Sequence, residues 1–101
     1  MEARLLTLTS KPGHLDALAA FWDDGVVAEI AGQRGNRGFA LLKDAANDRV
    51  VGVSLWDSAA DVDAAGPTVR AHIASIADHL ASQPEVAVVE VAALTSGALT
   101  H

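Results

Sequence analysis

Val50–Ala65, VVGVSLWDSAADVDAA, begins as an apolar run, reaches an aromatic at Trp56 and changes character at once. Val51, Val53 and Leu55 alternate with Gly52, Ser54 and Trp56, the two-residue period of a strand. Asp57 and Ser58 interrupt it, and an alanine-rich run with Asp61 and Asp63 follows. Ser58 with Asp61 three residues on has the form of a capping box, in which a hydroxyl satisfies an orphan N–H of a helix's first turn. A strand that passes into a helix through two polar residues predicts a small α+β unit.

The flanking chain extends that unit. Upstream, Phe39–Asp44 reads as a strand, and Ala45–Asp48 as a hairpin turn into Arg49–Trp56. Gly32–Gly38 is a glycine-punctuated loop. Before it, Leu15, Leu18, Trp22, Val26 and Ile30 recur at helical spacing and predict one helix over residues 13–31. Gly25 is its weak point, at a cost of about 1 kcal/mol against alanine in a regular helix. Arg4–Thr9 reads as a strand with Leu6 and Leu8 on one face and Leu5, Thr7 and Thr9 on the other. Downstream, Gly66-Pro67 predicts a break and a restarted helix to about Ser82, with Val69, Ile73, Ile76 and Leu80 as its stripe. Val86–Ala93 is the last strand, and Ser96–His101 carries no pattern and is expected to be loose. The order β-α-β-β-α-β predicts one ferredoxin-like domain over residues 1–95. It is an antiparallel sheet with helices on one face and strands one and three central.

Half of the 101 residues are apolar but aromatics are only 4%. A core of Ala, Val, Leu and Ile gains little area per side chain, at about 25 cal/mol per Å². The strands are apolar on both faces, which requires cover on both sides of the sheet. A second copy is the simplest cover, and a homodimer joined sheet to sheet is expected. A net charge of −6 argues against nucleic acid and anionic membrane surfaces. The chain has no cysteine, which excludes thiolate chemistry and disulfides. With no signal-like start and no long apolar run, a soluble cytoplasmic protein is expected.

Three clusters carry a family likeness: Arg37-Gly38-Phe39 with Leu41-Leu42; Ser54-Leu55-Trp56-Asp57-Ser58 with Asp61 and Ala64; and Gly66-Pro67 with His72. With the element order they resemble the antibiotic-biosynthesis-monooxygenase family of dimeric α+β barrels, over residues 3–93. The resemblance implies a pocket in each monomer between sheet and helices. It also implies either oxidation of polyphenolic aromatics by molecular oxygen without cofactor or metal, or haem binding and degradation. Haem-degrading members use a histidine at the position of His72, an Asn on strand one and a Trp before the last helix. Here those last two positions read Thr7 and Asp63-Ala64-Ala65. Quinone-forming members line the cavity with Trp and Tyr, and this chain has no tyrosine.

His72 is the candidate catalytic base, since imidazole titrates near neutrality. Trp22, Trp56 and Phe39 are candidate walls of a substrate cavity, with Thr7 and Ser54 as hydrogen-bonding groups; each aromatic could equally be packing. His79, seven residues after His72, could approach the same site. Asp57, Asp61 and Asp63 lack the pattern of a calcium loop, and no metal is expected. Gly32, Gly35 and Gly38 lie between helix and strand, the wrong order for a phosphate cradle. The functional expectation is a cofactor-independent monooxygenase acting on a small aromatic. The alternatives are a non-enzymatic dimer that binds a small apolar molecule or responds to stress, and a haem-degrading enzyme.

Overall fold

Side-chain parity along the strands organises the molecule. The computed structural model describes residues 1–95, so the expectation for Ser96–His101 lies outside the described residues. β1 (Glu2–Thr9), β2 (Asn36–Asp44), β3 (Arg49–Trp56) and β4 (Glu85–Glu90) form one antiparallel sheet in the order β2-β3-β1-β4, with strands one and three central as expected. β1 pairs with β3 from Glu2↔Trp56 to Thr9↔Arg49, and with β4 from Glu2↔Glu90 to Thr7↔Glu85. Alternation then puts Arg4, Leu6, Leu8, Val50, Gly52, Ser54 and Trp56 on one face. The helices α1 (Leu15–Phe21), α2 (Val27–Ala31) and α3 (Ala59–Ser75) pack on that face, giving a ferredoxin-like α+β fold.

Between sheet and helices lies one core that includes Leu6, Leu8, Leu18, Trp22, Ile30, Val50, Trp56, Val62, Val69 and Ile76. Gly52 makes room in it: a Cβ there would lie 3.2 Å from the Phe39 ring, which instead lies over the strand and stacks on Trp22 with centroids 6.4 Å apart. The opposite face of the sheet carries the row Ala40, Val53, Leu5 and Ala87 across all four strands, and among the described residues no helix packs on that row.

The predicted single helix over residues 13–31 is broken. Two helices meet at a kink within Trp22–Val26, where Asp24 and Gly25 leave helical dihedrals and Gly25 takes φ +95°. That inverts the expectation for Gly25. In a regular helix alanine would be the better residue, but a left-handed backbone costs an L-residue about 1–2 kcal/mol. Gly25→Ala should therefore destabilise by about that amount in urea unfolding; a gain in stability would mean the helix runs straight.

Pro67 does not divide the second helical segment: α3 continues through it from Ala59. Proline offers no N–H to the carbonyl four residues earlier. The carbonyl this leaves is that of Asp63, and next to it the Val62 carbonyl accepts a hydrogen bond from Arg4 Nη2 at 2.6 Å, which ties this turn of α3 to β1. The cap is as expected: Ser58 Oγ accepts from Asp61 N–H at 3.3 Å and donates to Asp61 Oδ2 at 3.0 Å. α3 ends at Ser75, earlier than predicted, and a 3-10 turn over Ala77–His79 follows. Among the described residues no helix is long and apolar enough to cross a membrane.

Candidate functional site

Between α3 and the β1–β4 side of the sheet is a cleft of about 270 Å³, lined by Arg4, Gly66, Val69, Arg70, Ile73 and Val86. The spacing 66, 69, 70 and 73 puts four of these on one flank of α3. Gly66 and Val69 are buried and form the floor with Arg4, while Arg70 and Val86 are exposed at the mouth. A second depression of about 430 Å³, over Ala77–Pro84, is built from one local stretch and carries no titratable side chain.

Arg4 is the unusual residue. It shares parity with Leu6 and Leu8, so its side chain turns into the apolar side of the sheet, and it is only 8% exposed. Its Nη2 is held by Val62 O, and its guanidinium carbon lies 5.9 Å from the centre of the Trp56 ring. Its Nη1 is buried and has no partner among the described residues. Burial pushes the Arg4 pKa down, the nearby Arg70 cation adds to that, and Asp63 acts in the opposite direction. An arginine remains charged through such a shift. Arg70 lies close because residue 66 is glycine: a Cβ there would come within 2.9 Å of Arg70 Nη1.

The residues singled out from sequence divide into three groups. Trp22, Phe39, Ser54 and Trp56 all lie on the helix side of the sheet and are brought together in the core. Trp22 is 1% exposed and Trp56 not at all, and the Trp56 indole N–H donates to Ser54 Oγ at 2.8 Å. The Trp22 Nε1, also buried, has no partner among the described residues. Thr7 lies on the other face of the sheet, in the row of Val51 and Glu85. His72 sits on the flank of α3 away from the cleft, its side chain 22% exposed, with Nε2 2.8 Å from Glu29 Oε2 and its ring edge-on to Phe21.

His79 does not join His72. The end of α3 at Ser75 turns it toward His14, with the two Nδ1 atoms 3.0 Å apart. Thr7 and His72, two positions that matter for haem in the resembling subgroup, lie on opposite sides of the sheet. Among the described residues no cluster of three or more His, Asp or Glu could hold a metal ion.

Arg4, Arg70 and Gly66 were not singled out from sequence as site residues. The signal existed for Arg4: a charged residue on the Leu6–Leu8 face of a central strand has no ordinary place in a core.

A family model described as antibiotic biosynthesis monooxygenase matches residues 1–74. A search of curated proteins gave no match. Among solved structures, a candidate antibiotic biosynthesis monooxygenase from Nitrosomonas europaea superposes with a TM-score of 0.80 at 17% identity, over 92% of this chain and 100% of that one. A second Nitrosomonas europaea protein, of unknown function, gives 0.79 at 24% identity, over 93% and 91%. A Streptomyces coelicolor monooxygenase in complex with nanaomycin D gives 0.76 at 15% identity, over 93% and 89%. At these identities the likeness shows the fold.

Proposed function

The chain belongs to the antibiotic biosynthesis monooxygenase family, and from that membership we propose that it oxidises a small hydroxylated aromatic compound with molecular oxygen, without a bound cofactor or metal, in the cleft between β1, β4 and α3. One observation carries the reading: a buried, unpartnered guanidinium N–H of Arg4 at the floor of a cleft walled by Val69, Ile73 and Val86. The nanaomycin D held by the Streptomyces coelicolor fold neighbour supports a small organic substrate.

The chemistry asks little of the protein. An electron-rich phenol or anthrone loses a proton, and the resulting anion passes an electron to oxygen. Recombination gives a hydroperoxide, which loses water to leave a quinone carbonyl, so one oxygen atom enters the substrate and the other leaves as water. A fixed cation beside the substrate oxygen favours the anion, lowering the pKa of the bound phenol and stabilising developing negative charge. Apolar walls strengthen that interaction by excluding water. The proton leaves to solvent through the mouth of the cleft.

A homodimer belongs to the same proposal. The uncovered sheet face, with Val53 and Leu5 at its centre, gains its cover from a second copy.

A second reading, a non-enzymatic dimer that binds a small molecule, is favoured by the lining itself. Arg4 and Arg70 only donate, and the other lining groups are apolar, so the cleft holds no base. Oxygen uptake with a panel of hydroxylated naphthalenes and anthrones separates the two. The expected result is substrate-dependent uptake that falls about 10²–10³-fold in Arg4→Met, the scale for removing a donor to a developing oxyanion. His72→Ala is expected to stay within about threefold of the parent, well short of the 10²–10⁴-fold that a positioned acid–base group contributes. Loss of turnover in a folded His72→Ala protein would instead assign the base to the His72–Glu29 pair. Binding without uptake across the panel would leave the non-enzymatic reading.

A further inference from the structure

We infer that the cleft selects an anion: its ligand is a small aromatic carboxylate, whose two oxygens are received by Arg4 Nη1 and by the guanidinium of Arg70. The inference deepens the proposed function and rests on its placing of the site in this cleft.

The first ground is the state of Arg4. A buried N–H donor without a partner costs its desolvation, and donors at such depth are ordinarily satisfied. Here one end of the guanidinium is satisfied by Val62 O while the other, equally buried, faces no acceptor among the described residues.

The second ground is the neighbouring cation. Two like charges at the edge of an apolar cleft oppose each other, and neither Arg4 nor Arg70 is in an ion pair among the described residues. Asp63, two helical turns before Arg70, offsets part of the charge, but its side chain is exposed and it reaches neither guanidinium at ion-pair distance. An anion between the two would remove the repulsion and supply the missing acceptor together.

The third ground is Gly66. A glycine within a helix costs about 1 kcal/mol against alanine. At this position its bare backbone is what lets the Arg70 guanidinium lie along α3 beside the cleft. The unfavourable residue for the helix is the permissive one for the cation.

The shape of the site narrows the ligand. At about 270 Å³ the cleft falls just below the range of drug-sized pockets, so it suits one or two rings rather than a large polycycle. Val69, Ile73 and Val86 offer apolar wall to a ring, and two guanidiniums match the planar, two-oxygen geometry of a carboxylate.

The test is calorimetric titration of the intact protein with 1-hydroxy-2-naphthoate, 1-naphthol and 1-naphthyl phosphate. The expected order is carboxylate first, ahead of the neutral naphthol by about tenfold or more, the scale of a hydrogen bond to a charged group. Arg4→Met should bring the carboxylate down to the affinity of naphthol. Gly66→Ala crowds only the flexible end of Arg70. It should weaken the carboxylate severalfold, weaken naphthol by less, and raise the melting temperature. That variant keeps the test decisive if Arg4→Met does not fold.

Equal affinity for naphthoate and naphthol, or a preference for naphthoate that survives both substitutions, would overturn the inference. Tighter binding of the phosphate would overturn the assignment to carboxylates. Selective carboxylate binding without oxygen uptake would uphold this inference while removing the oxygenase reading, so the two can fail separately.

Discussion

Trp56→Ala is expected to lower stability by about 3–5 kcal/mol, the scale for emptying a large aromatic from a core. Trp56 has no exposed surface, closes β3 against α3, and lies under the Arg4 guanidinium. Its removal takes away packing, a cation–π contact and the donor to Ser54 Oγ together. For a domain of this size, with a stability of about 5–15 kcal/mol and a shift of about 4–8 °C per kcal/mol, the melting temperature should fall by at least about 12 °C. Trp56→Phe restores most of the volume but not the N–H, and should cost less. Ser54→Ala leaves the buried indole N–H without its acceptor, at about 1–3 kcal/mol. The two positions touch, so a Trp56→Phe/Ser54→Ala cycle should show a coupling of about 1 kcal/mol. Urea unfolding at one protein concentration measures all of these, because association would otherwise move the apparent stability. A loss below about 1 kcal/mol for Trp56→Ala would show that the ring is not a core element.

The strand faces were legible because a period of two leaves no freedom. Once Leu6 and Leu8 face the helices, Gly52, Ser54 and Trp56 follow from the register. The helix breaks were not legible. Gly25 falls at a position where the apolar stripe runs on through Val26 and Ile30, and nothing local distinguishes a glycine tolerated in a helix from one needed at positive φ. Pro67 misleads in the opposite sense, since α3 runs on through it to Ser75, and a side chain from β1, 58 residues from Val62 in sequence, ties the same stretch of helix to the sheet. The site was half legible. Strand parity puts Phe39, Ser54 and Trp56 on the helix side of the sheet, and the helical stripe turns Trp22 toward the same core. Whether aromatics there fill the core or wall a cavity depends on tertiary packing, which filled it. His72 does border the Val69–Ile76 stripe, but the stripe has two flanks, and only the seating of α3 on the sheet decides which one opens into the cleft. Arg4 carried the clearest unread signal, a charge at a core-parity position.

Val53→Lys is expected to convert a dimer into a monomer. Val53 lies in the central strand pair on the face away from the helices, in the row Ala40, Val53, Leu5 and Ala87. Val51 and Thr7 flank that row on one side, and Leu55 and Ala3 on the other. If this face meets solvent, a lysine there is a surface substitution worth no more than about 0.5 kcal/mol, since its stem can lie along the apolar strands with the amine in water. If it meets a second sheet, the same amine is taken out of water at the centre of an interface with no acid in its row. A buried unpaired charge costs several kcal/mol, enough to dissociate a small dimer at micromolar concentration. The two cases predict opposite results in analytical ultracentrifugation. The parent should sediment as a dimer and Val53→Lys as a monomer, with urea stability falling in step with the lost interface. Leu42→Lys, nearer the edge of the same face on β2, should weaken association less, because a rim charge keeps its water. The core and the Arg4 cleft lie on the other side of the sheet, so carboxylate binding should persist in a folded Val53→Lys monomer. Its loss on dissociation would mean that the partner completes the cleft.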